Sequence, residues 1–178
     1  MTDAPLSGTS AIALRPATPA DRPLLLRIYA STREQELART PFTPEQKAAF
    51  LEQQFTAQSA HYERHYSDTS YDVVEVGGAP AGRLIVARWP QELRIVDVAL
   101  LPRFRGAGIG TRLLAPVLAE ADGRGAKVSL HVERFNPAQR LYQRLGFAPV
   151  AAEEQGIRQL WERAPSGRPA RRYVKTAS

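Results

Sequence analysis

The chain has 178 residues, a hydrophobic fraction of 43% and no cysteine. This length fits one domain with a real core, and the absence of cysteine excludes disulfides, thiol catalysis and cysteine-ligated metal. No apolar run approaches the roughly 20 residues that span a bilayer, and the first ten residues lack the layout of a signal peptide. We therefore expect a cytoplasmic protein that does not associate with membranes.

The net charge of +6 is concentrated at the C-terminal end of the sequence. From Ala164 onward there is no acidic residue, and the basic ones are Arg168, Arg171, Arg172 and Lys175. We expect a domain over residues 1–163 and a solvated basic tail over 164–178, the alternative being a tail that docks an anionic partner. No stretch interleaves aromatic and basic residues, so specific nucleic-acid binding is not expected.

The first part of the chain predicts one strand and two helices. In chain order these are a strand at 11–14, a turn at 15–21, a helix from 22 to about 37, and a second helix that runs toward 65. Thr43, Pro44 and Gln46 predict the start of the second helix, because they supply an N-cap, a proline at the first position and the far end of a capping box.

The second part alternates strands and helices. The predicted order is strands at 71–76 and 81–88 joined by a hairpin, a strand at 93–100, a helix ending at Gly123 or Gly125, a strand at 127–132, a short helix from Asn136 to Gly146, and strands at 147–151 and 157–161. Pro116 lies inside the longer helix and is expected to kink it. The order predicts a mixed α/β fold, with a central sheet of about six to seven strands flanked by helices.

A glycine-rich segment, Arg105-Gly106-Ala107-Gly108-Ile109-Gly110, separates the strand at 93–100 from the longer helix. The unpaired N–H groups of a first helical turn carry partial positive charge, and glycines let a diphosphate approach them closely. The spacing does not fit the Gly-x-Gly-x-x-Gly of a dinucleotide fold, and no Gly-Lys-Ser/Thr triplet of an NTPase loop is present.

Two motifs together resemble the GNAT superfamily of acyl-CoA-dependent N-acyltransferases. Arg105-x-x-Gly108-x-Gly110 matches the Gln/Arg-x-x-Gly-x-Gly/Ala fingerprint, and a second motif matches at Asn136, Leu141-Tyr142 and Gly146-Phe147. The opening Arg-Pro-Ala-Thr-Pro-Ala-Asp stretch is also similar, so the resemblance covers roughly 12–161. It implies an N-acetyltransferase that uses acetyl-CoA as co-substrate and transfers the acetyl group directly to an amine.

The resemblance and the glycine loop together give a cofactor site. The segment expected to hold the diphosphate consists of Arg105, Gly106, Ala107, Gly108, Ile109, Gly110 and Thr111, through backbone amides and the Arg105 guanidinium. The resemblance implies that backbone groups around Val98, Ala99 and Leu100 pair with the pantetheine amides. Asn136 either contacts coenzyme A or only caps its helix, with Gln139 completing a capping box.

The resemblance also implies catalytic roles. Tyr142 matches the tyrosine that hydrogen-bonds or protonates the leaving thiolate, although helical spacing also fits a packed aromatic residue. Asp97 lies on the central strand where related enzymes often place an acidic residue, and it is the first candidate for the base. The alternatives that stay open are Glu34, Glu36, Glu75, Glu133, His61, His65 and His131. No His/Glu spacing resembles a metal site, so no metal is expected.

The resemblance implies that the segment between residues 29 and 70, which carries no recognised motif, binds the acceptor. Glu34, Glu36 and Phe42 are the candidate substrate-binding residues, because carboxylates beside an aromatic ring suit a cationic amine. The expected acceptor is a primary amine of a small molecule. Two alternatives remain: acetylation of a protein or peptide amine, and a non-catalytic coenzyme A-binding regulatory domain. A homodimer is also compatible with the sequence.

Overall fold

The computed structural model describes residues 10–150 and 157–166. The elements, in chain order, are β1 (Ile12–Pro16), α1 (Arg22–Ala38), α2 (Pro44–His65), β2 (Thr69–Val76), β3 (Ala79–Arg88), β4 (Glu92–Leu100), α3 (Ile109–Arg124), β5 (Lys127–Glu133), α4 (Gln139–Arg144), β6 (Ala148–Pro149) and β7 (Arg158–Arg163). Short 3-10 turns precede α1 and follow β4. This order of strands and helices confirms the mixed α/β fold predicted from the sequence.

The seven strands form one sheet with the order β1-β2-β3-β4-β5-β7-β6. All neighbouring strands are antiparallel except β4 and β5, which are parallel and pair only over Glu92–Ile95 and Lys127–Leu130. Beyond Ile95, β4 keeps its pairing with β3 but has no pairing with β5. The two central strands therefore separate, and one backbone edge of β4 faces the gap between them.

A β-bulge in β4 lies at the point where this gap opens. Ile85 of β3 pairs with Asp97, but the next residue, Val86, pairs with Ile95, so Val96 is an extra residue in β4. Ile95 belongs to the core on the α3 side of the sheet, whereas Ala99 packs beneath α1 on the opposite side. The bulge thus reverses which face the odd-numbered residues of β4 occupy.

The two faces of the sheet are covered by different helices. The larger core cluster lies on the face of α3, whose inward residues Ile109, Leu113, Val117 and Ala121 are all buried. A smaller cluster under α1 contains Leu24, Ile28, Val73 and Ala99. None of the helices among residues 10–150 and 157–166 is long and apolar enough to cross a membrane.

Helix ends were predicted better than strand ends. The capping box of α2 is formed, with the Gln46 amide donating to Thr43 Oγ1 (3.3 Å) and the Thr43 amide donating to Gln46 Oε1 (2.9 Å). Helix α3 ends at Gly125, which has a left-handed backbone as a C-cap. The strand predicted at 147–151 is reduced to Ala148–Pro149, and residue 151 lies outside the described residues.

The predicted boundary between domain and tail falls within a hydrogen-bonded contact. After β7, the Ser166 amide and hydroxyl both donate to the carboxylate of Asp122 on α3, at 2.7 and 2.9 Å. Arg163 of β7 donates to both oxygens of the same carboxylate. Ser166 therefore packs with the domain, and the rest of the predicted tail, residues 167–178, lies outside the described residues.

Candidate active site

The glycine loop presents a row of backbone donors at the start of a helix. Gly106 and Gly108 have left-handed backbones, with φ angles of +73° and +72°, and α3 begins directly after them at Ile109. Within the described part of the chain, the first amide after the loop that donates to a backbone carbonyl is that of Arg112, which bonds the Gly108 carbonyl at 3.3 Å. The amides of residues 106–111 are thus free to donate to an anion at the positive end of α3.

Glycine is required at the three positions of this loop for different physical reasons. A side chain at Gly106 or Gly108 would meet no described atom within 4 Å, so these two positions need glycine for their positive φ angles and not for space inside the protein. Gly110 is different, because a Cβ atom there would lie 2.9 Å from Leu141 Cδ2 of α4. Gly110 therefore allows α3 and α4 to pack closely, a role that the sequence pattern alone did not distinguish from cofactor binding.

The guanidinium of Arg105 is directed away from the amide row. Its Nε donates to the Leu100 carbonyl at 2.8 Å, and its Nη2 donates to the hydroxyl and carbonyl of Ser31 on α1, at 3.1 and 3.3 Å. Arg105 thereby joins the end of β4 to α1. In this arrangement the fit of the loop to a diphosphate depends on the backbone amides, and the predicted guanidinium contact would require the Arg105 side chain to rearrange.

The predicted pantetheine-binding segment lies along the gap beside β4. The side chains of Val98 and Leu100 pack against the α3-side core, and Ala99 is buried under α1. One backbone edge of this segment bonds β3, through the pairs Leu84↔Val98 and Gly82↔Leu100. The other edge faces the gap, where it has the geometry to accept an extended ligand as an added strand.

Asp97 projects from β4 into a cluster of side chains from three other elements. Its Oδ2 accepts a hydrogen bond from Arg83 of β3, whose side chain is only 6% exposed. The same Arg83 Nη2 donates to Gln58 Oε1 of α2 at 2.9 Å. The Arg83 guanidinium lies 5.9 Å from the ring centres of both Tyr29 and Phe55. We call these five residues, Tyr29, Phe55, Gln58, Arg83 and Asp97, the Arg83 cluster.

Tyr142 is buried near Asp97 and has a perturbed hydroxyl. Its ring packs edge-on against Phe147, with the centres 5.9 Å apart, and only 7% of the residue is exposed. Burial, with a smaller contribution from the negative charge of Asp97, raises the pKa of Tyr142 to about 12. The phenol is therefore protonated at neutral pH and available as a proton donor.

Tyr62 of α2 belongs to the same site, although the sequence analysis did not identify it. It is 7% exposed, and its pKa is raised by burial and then by the charge of Asp97, partly offset by Arg83. Asp97 thus has two buried phenols within electrostatic range, Tyr62 and Tyr142. One signal for this side of the site was present in the sequence, since Arg83 interrupts an otherwise apolar strand at 81–87.

The structure corrects the predicted cap of α4. The helix begins at Gln139, and Asn136 lies before it, with its Oδ1 accepting a hydrogen bond from the Ala138 amide at 2.9 Å. The predicted capping box does not form, because the Gln139 side chain donates to the carbonyls of Glu133 and Arg134, at 2.9 and 2.8 Å. Asn136 therefore stabilises the turn that leads into α4. It is exposed, and its contact with coenzyme A stays a prediction.

The candidate acceptor residues lie on the exposed side of α1 and the loop that follows. Glu36 pairs with Arg33 at 2.8 Å, Glu34 is exposed, and the Phe42 ring lies 6.1 Å from that of Phe50. Arg33 also interacts electrostatically with Glu133, which places this part of α1 near the end of β5. The link from these residues to the Arg83 cluster runs through Arg33, whose Nε donates to the Tyr29 hydroxyl at 3.3 Å.

The other candidate bases lie elsewhere. Glu75 pairs with Arg15 at 2.9 Å between β2 and β1, while His61 and His65 stack on the exposed face of α2 with ring centres 4.2 Å apart. His131 contacts Arg94 on the surface of β5. In residues 10–150 and 157–166 there is no group of three or more His, Asp and Glu side chains arranged to hold a metal ion.

Comparisons with known proteins identify the family and the fold of the chain. Residues 31–147 match the sequence profile described as Acetyltransferase (GNAT) family. No curated protein matches the sequence significantly.

Solved structures with the same fold include a PaiA N-acetyltransferase from Thermoplasma acidophilum in complex with coenzyme A. It is 15% identical over 86% of this chain and 99% of that one, with a TM-score of 0.64. An acetyltransferase from Thermus thermophilus is 22% identical over 86% and 97% of the two chains, with a TM-score of 0.62. An acetyltransferase from Streptococcus agalactiae is 12% identical over 86% and 98%, with a TM-score of 0.61.

Proposed function

Because this chain belongs to the GNAT acetyltransferase family, we propose that it transfers the acetyl group of acetyl-CoA directly to a primary amine of a small molecule. The observation that carries the proposal is the placement of Tyr142 and Asp97 relative to the amide row and the gap. Asp97 lies in the part of β4 that no longer pairs with β5, and Tyr142 follows Leu141, whose side chain packs against Gly110 at the start of α3. A carboxylate and a protonated phenol there can act as proton acceptor and proton donor in amine acylation.

The residues present fit coenzyme A. The amides of residues 106–111 supply donors for a diphosphate, and the free edge of β4 at 96–100 supplies backbone groups for the pantetheine amides. When bound, the thioester supplies an activated acetyl group. The Arg105 side chain, which ties the end of β4 to α1, keeps the loop and the strand in a fixed relation.

Asp97 and Tyr142 have complementary roles in proton transfer. Asp97 Oδ2 is held by Arg83, and Oδ1 has no hydrogen-bond partner among the described residues, so Oδ1 is the atom that accepts a proton from the acceptor ammonium. Tyr142 donates its phenolic proton to the sulfur as the carbon–sulfur bond breaks, and the second proton that the nitrogen loses as the amide forms restores the phenol. Its raised pKa keeps this proton in place over the whole neutral range. The nitrogen forms its new bond to the acetyl carbon directly, without a covalent enzyme intermediate.

The interior on the acceptor side supports a small acceptor. Aromatic rings and Arg83 line the space between α1, α2 and the sheet, and a cavity there has a volume of about 160 Å³. Phe55, Tyr62 and Arg83 are in its wall. Glu34, Glu36 and Phe42 are exposed, and we expect the two carboxylates to attract a cationic amine to the entrance of the acceptor site.

The test is to measure coenzyme A release from acetyl-CoA with a panel of small primary amines and with peptides of matched amine content, and to identify the acetylated product by mass spectrometry. We expect release that depends on a small amine. Acetylation of peptides alone would assign a peptide acceptor. Tight binding of acetyl-CoA without amine-dependent release would instead indicate a non-catalytic coenzyme A-binding domain.

A further inference from the structure

Arg83 is a buried cation in a strand that is otherwise apolar. Every residue from Ala81 to Ala87 is buried, and Arg83 is the charged one among them. A buried guanidinium is costly unless its charge is paired and its N–H groups are bonded. Two partners for Arg83 Nη2, Asp97 and Gln58, meet part of this cost, although Arg83 Nε has no partner among the residues that the structure describes. Burial of Arg83 therefore costs stability that its two partners only partly offset.

The contacts of Arg83 connect the acceptor-side helices to β4. Tyr29 comes from α1, while Phe55 and Gln58 come from α2. The guanidinium lies beside the two rings, 5.9 Å from each centre, and the ring centres are 5.7 Å apart. Its Nη2 donates to Gln58. On the other side, Arg83 bonds Asp97, which follows the bulge at Val96. The rings and Gln58 limit the orientations of the guanidinium, and the guanidinium in turn restricts the rotation of the Asp97 carboxylate.

From this geometry we infer that Arg83 is a positioning residue for acetyl transfer, which holds Asp97 so that Oδ1 meets the acceptor amine. The inference rests on the proposed function. Arg83 touches neither acetyl-CoA nor the reacting nitrogen, and it acts only through the Asp97 carboxylate. Because displacements of about 1 Å in a reacting group can reduce rates by about 10²-fold, loss of Arg83 should lower turnover more than substrate binding.

A matched control is available on the neighbouring strand. Arg94 of β4 also forms a partly buried ion pair, with Glu92 at 2.9 Å, and its guanidinium lies 5.8 Å from the Trp89 ring centre. The side chain of Arg94 is 13% exposed, against 6% for Arg83, and the carboxylates of Glu92 and Asp97 are both 17% exposed. Because Arg94 bonds Glu92 and not Asp97, it reports the cost of losing a similar ion pair outside the proposed site.

The experiment measures kcat and both Michaelis constants for full-length Arg83→Met, Arg83→Lys and Arg94→Met with the best amine found in the panel. We expect kcat to fall by about 10- to 100-fold in Arg83→Met while the Michaelis constant for acetyl-CoA changes less than about twofold. Arg83→Lys keeps the charge but not the planar fork, and should recover part of the loss. Arg94→Met should keep kcat within about threefold. Coenzyme A binding by calorimetry checks that each variant is folded.

The same measurements include the double variant Arg83→Met/Asp97→Asn. If Arg83 acts only through Asp97, the double variant should have the kcat of Asp97→Asn alone. An Arg83→Met protein that binds coenzyme A and matches Arg94→Met in kcat would overturn the inference, as would losses that multiply in the double variant. Failure of the proposed function is distinct, since the wild-type protein would then release no coenzyme A with any amine, and the inference would fall with it.

Discussion

The proposed cofactor side and the proposed acceptor side of this protein are built on different physical principles. On the cofactor side, the loop at 105–110 and the start of α3 present backbone amides, and almost no side chain is required beyond hydrogen at Gly106 and Gly108. On the acceptor side, the Arg83 cluster assembles long side chains from α1, α2, β3 and β4. A backbone site is local in sequence, whereas a side-chain cluster depends on four elements coming together.

This difference explains why one side can be shared by a family and the other can vary. Backbone amides recognise a diphosphate in the same way whatever the neighbouring side chains are, provided that φ can be positive where the loop needs it. The fit of an acceptor instead changes with each side chain that lines the space between α1, α2 and the sheet. The comparison predicts that substitutions on the cofactor side will change coenzyme A affinity, whereas substitutions on the acceptor side will change the Michaelis constant of the amine.

The largest effect is expected from Tyr142→Phe, which keeps the ring against Phe147 and removes the proton donor between the two sides. Turnover should fall by about 10²-fold, and coenzyme A affinity should change little. Urea unfolding is the control, since turnover lost without a loss of stability cannot result from misfolding. Equal turnover of Tyr142→Phe and wild type, under conditions where chemistry limits the rate, would make Tyr142 a packing residue.

Next in size is Gly108→Val, which should affect the cofactor side alone. A branched residue at a φ of +72° is strained, and its side chain would enter the space in front of the amide row. We expect the coenzyme A dissociation constant to rise by about 30-fold, or about 2 kcal/mol, in calorimetry.

The control for this substitution is Gly125→Val at the other end of α3, where φ is +62° and no described atom lies within 4 Å of a new Cβ. Both variants carry a similar backbone penalty of about 1–2 kcal/mol, measurable by urea unfolding. Gly125→Val should therefore lose stability without losing affinity. Wild-type affinity in a folded Gly108→Val protein would remove the loop from the cofactor site.

A smaller effect is expected at the entrance of the acceptor site. The double substitution of Glu34 and Glu36 by Gln should raise the Michaelis constant of the amine by about fivefold, or about 1 kcal/mol, because exposed carboxylates attract a cation weakly. The constant for acetyl-CoA should not change. Glu52→Gln, which removes an exposed carboxylate on α2 that pairs with Arg22, is the control. A changed acetyl-CoA constant with an unchanged amine constant would move the acceptor site to another element.

The smallest effect concerns the C-terminal boundary, which lies outside both sides of the comparison. Truncation after Ser166 should leave unfolding and coenzyme A affinity unchanged, whereas truncation after Arg163 should cost about 1 kcal/mol through the lost hydrogen bonds to Asp122. Any loss of cofactor affinity on truncation after Ser166 would show that residues 167–178 contribute to the site.

The contribution of Asp122 should depend on pH. The bonds from Arg163 and then Ser166 hold the pKa of Asp122 well below its usual range. Because the folded-state pKa is lowered, this contribution is present above about pH 4 and is lost as pH falls below it. The difference in unfolding free energy between the two truncations should therefore shrink in acid.

Features that are local in sequence were predicted, whereas features that depend on distant elements were not. The order of the elements, the capping box at Thr43 and the positions of the amide row and Tyr142 depend on local patterns, and sequence reasoning can reach these. The Arg83 cluster was missed, because its members are separated by up to 68 positions, from Tyr29 to Asp97, and meet only in the folded sheet. The bounds of β6 and the start of α4 at Gln139 were predicted less well. The Gln139 side chain bonds the carbonyls of Glu133 and Arg134, and the local capping signal could not show this.

Because of the bulge at Val96, the Arg83 cluster forms only if β4 keeps its number of residues. A strand assigns its residues to alternate faces by counting, so the single extra residue decides whether Asp97 lies with Arg83 or is turned into the apolar core beneath α3. Removal of Val96 would leave every side chain of the cluster in the sequence and still dismantle it. A loop can change in length without moving the core. Within β4, a change of one residue would exchange the face in the apolar core with the face that carries Asp97.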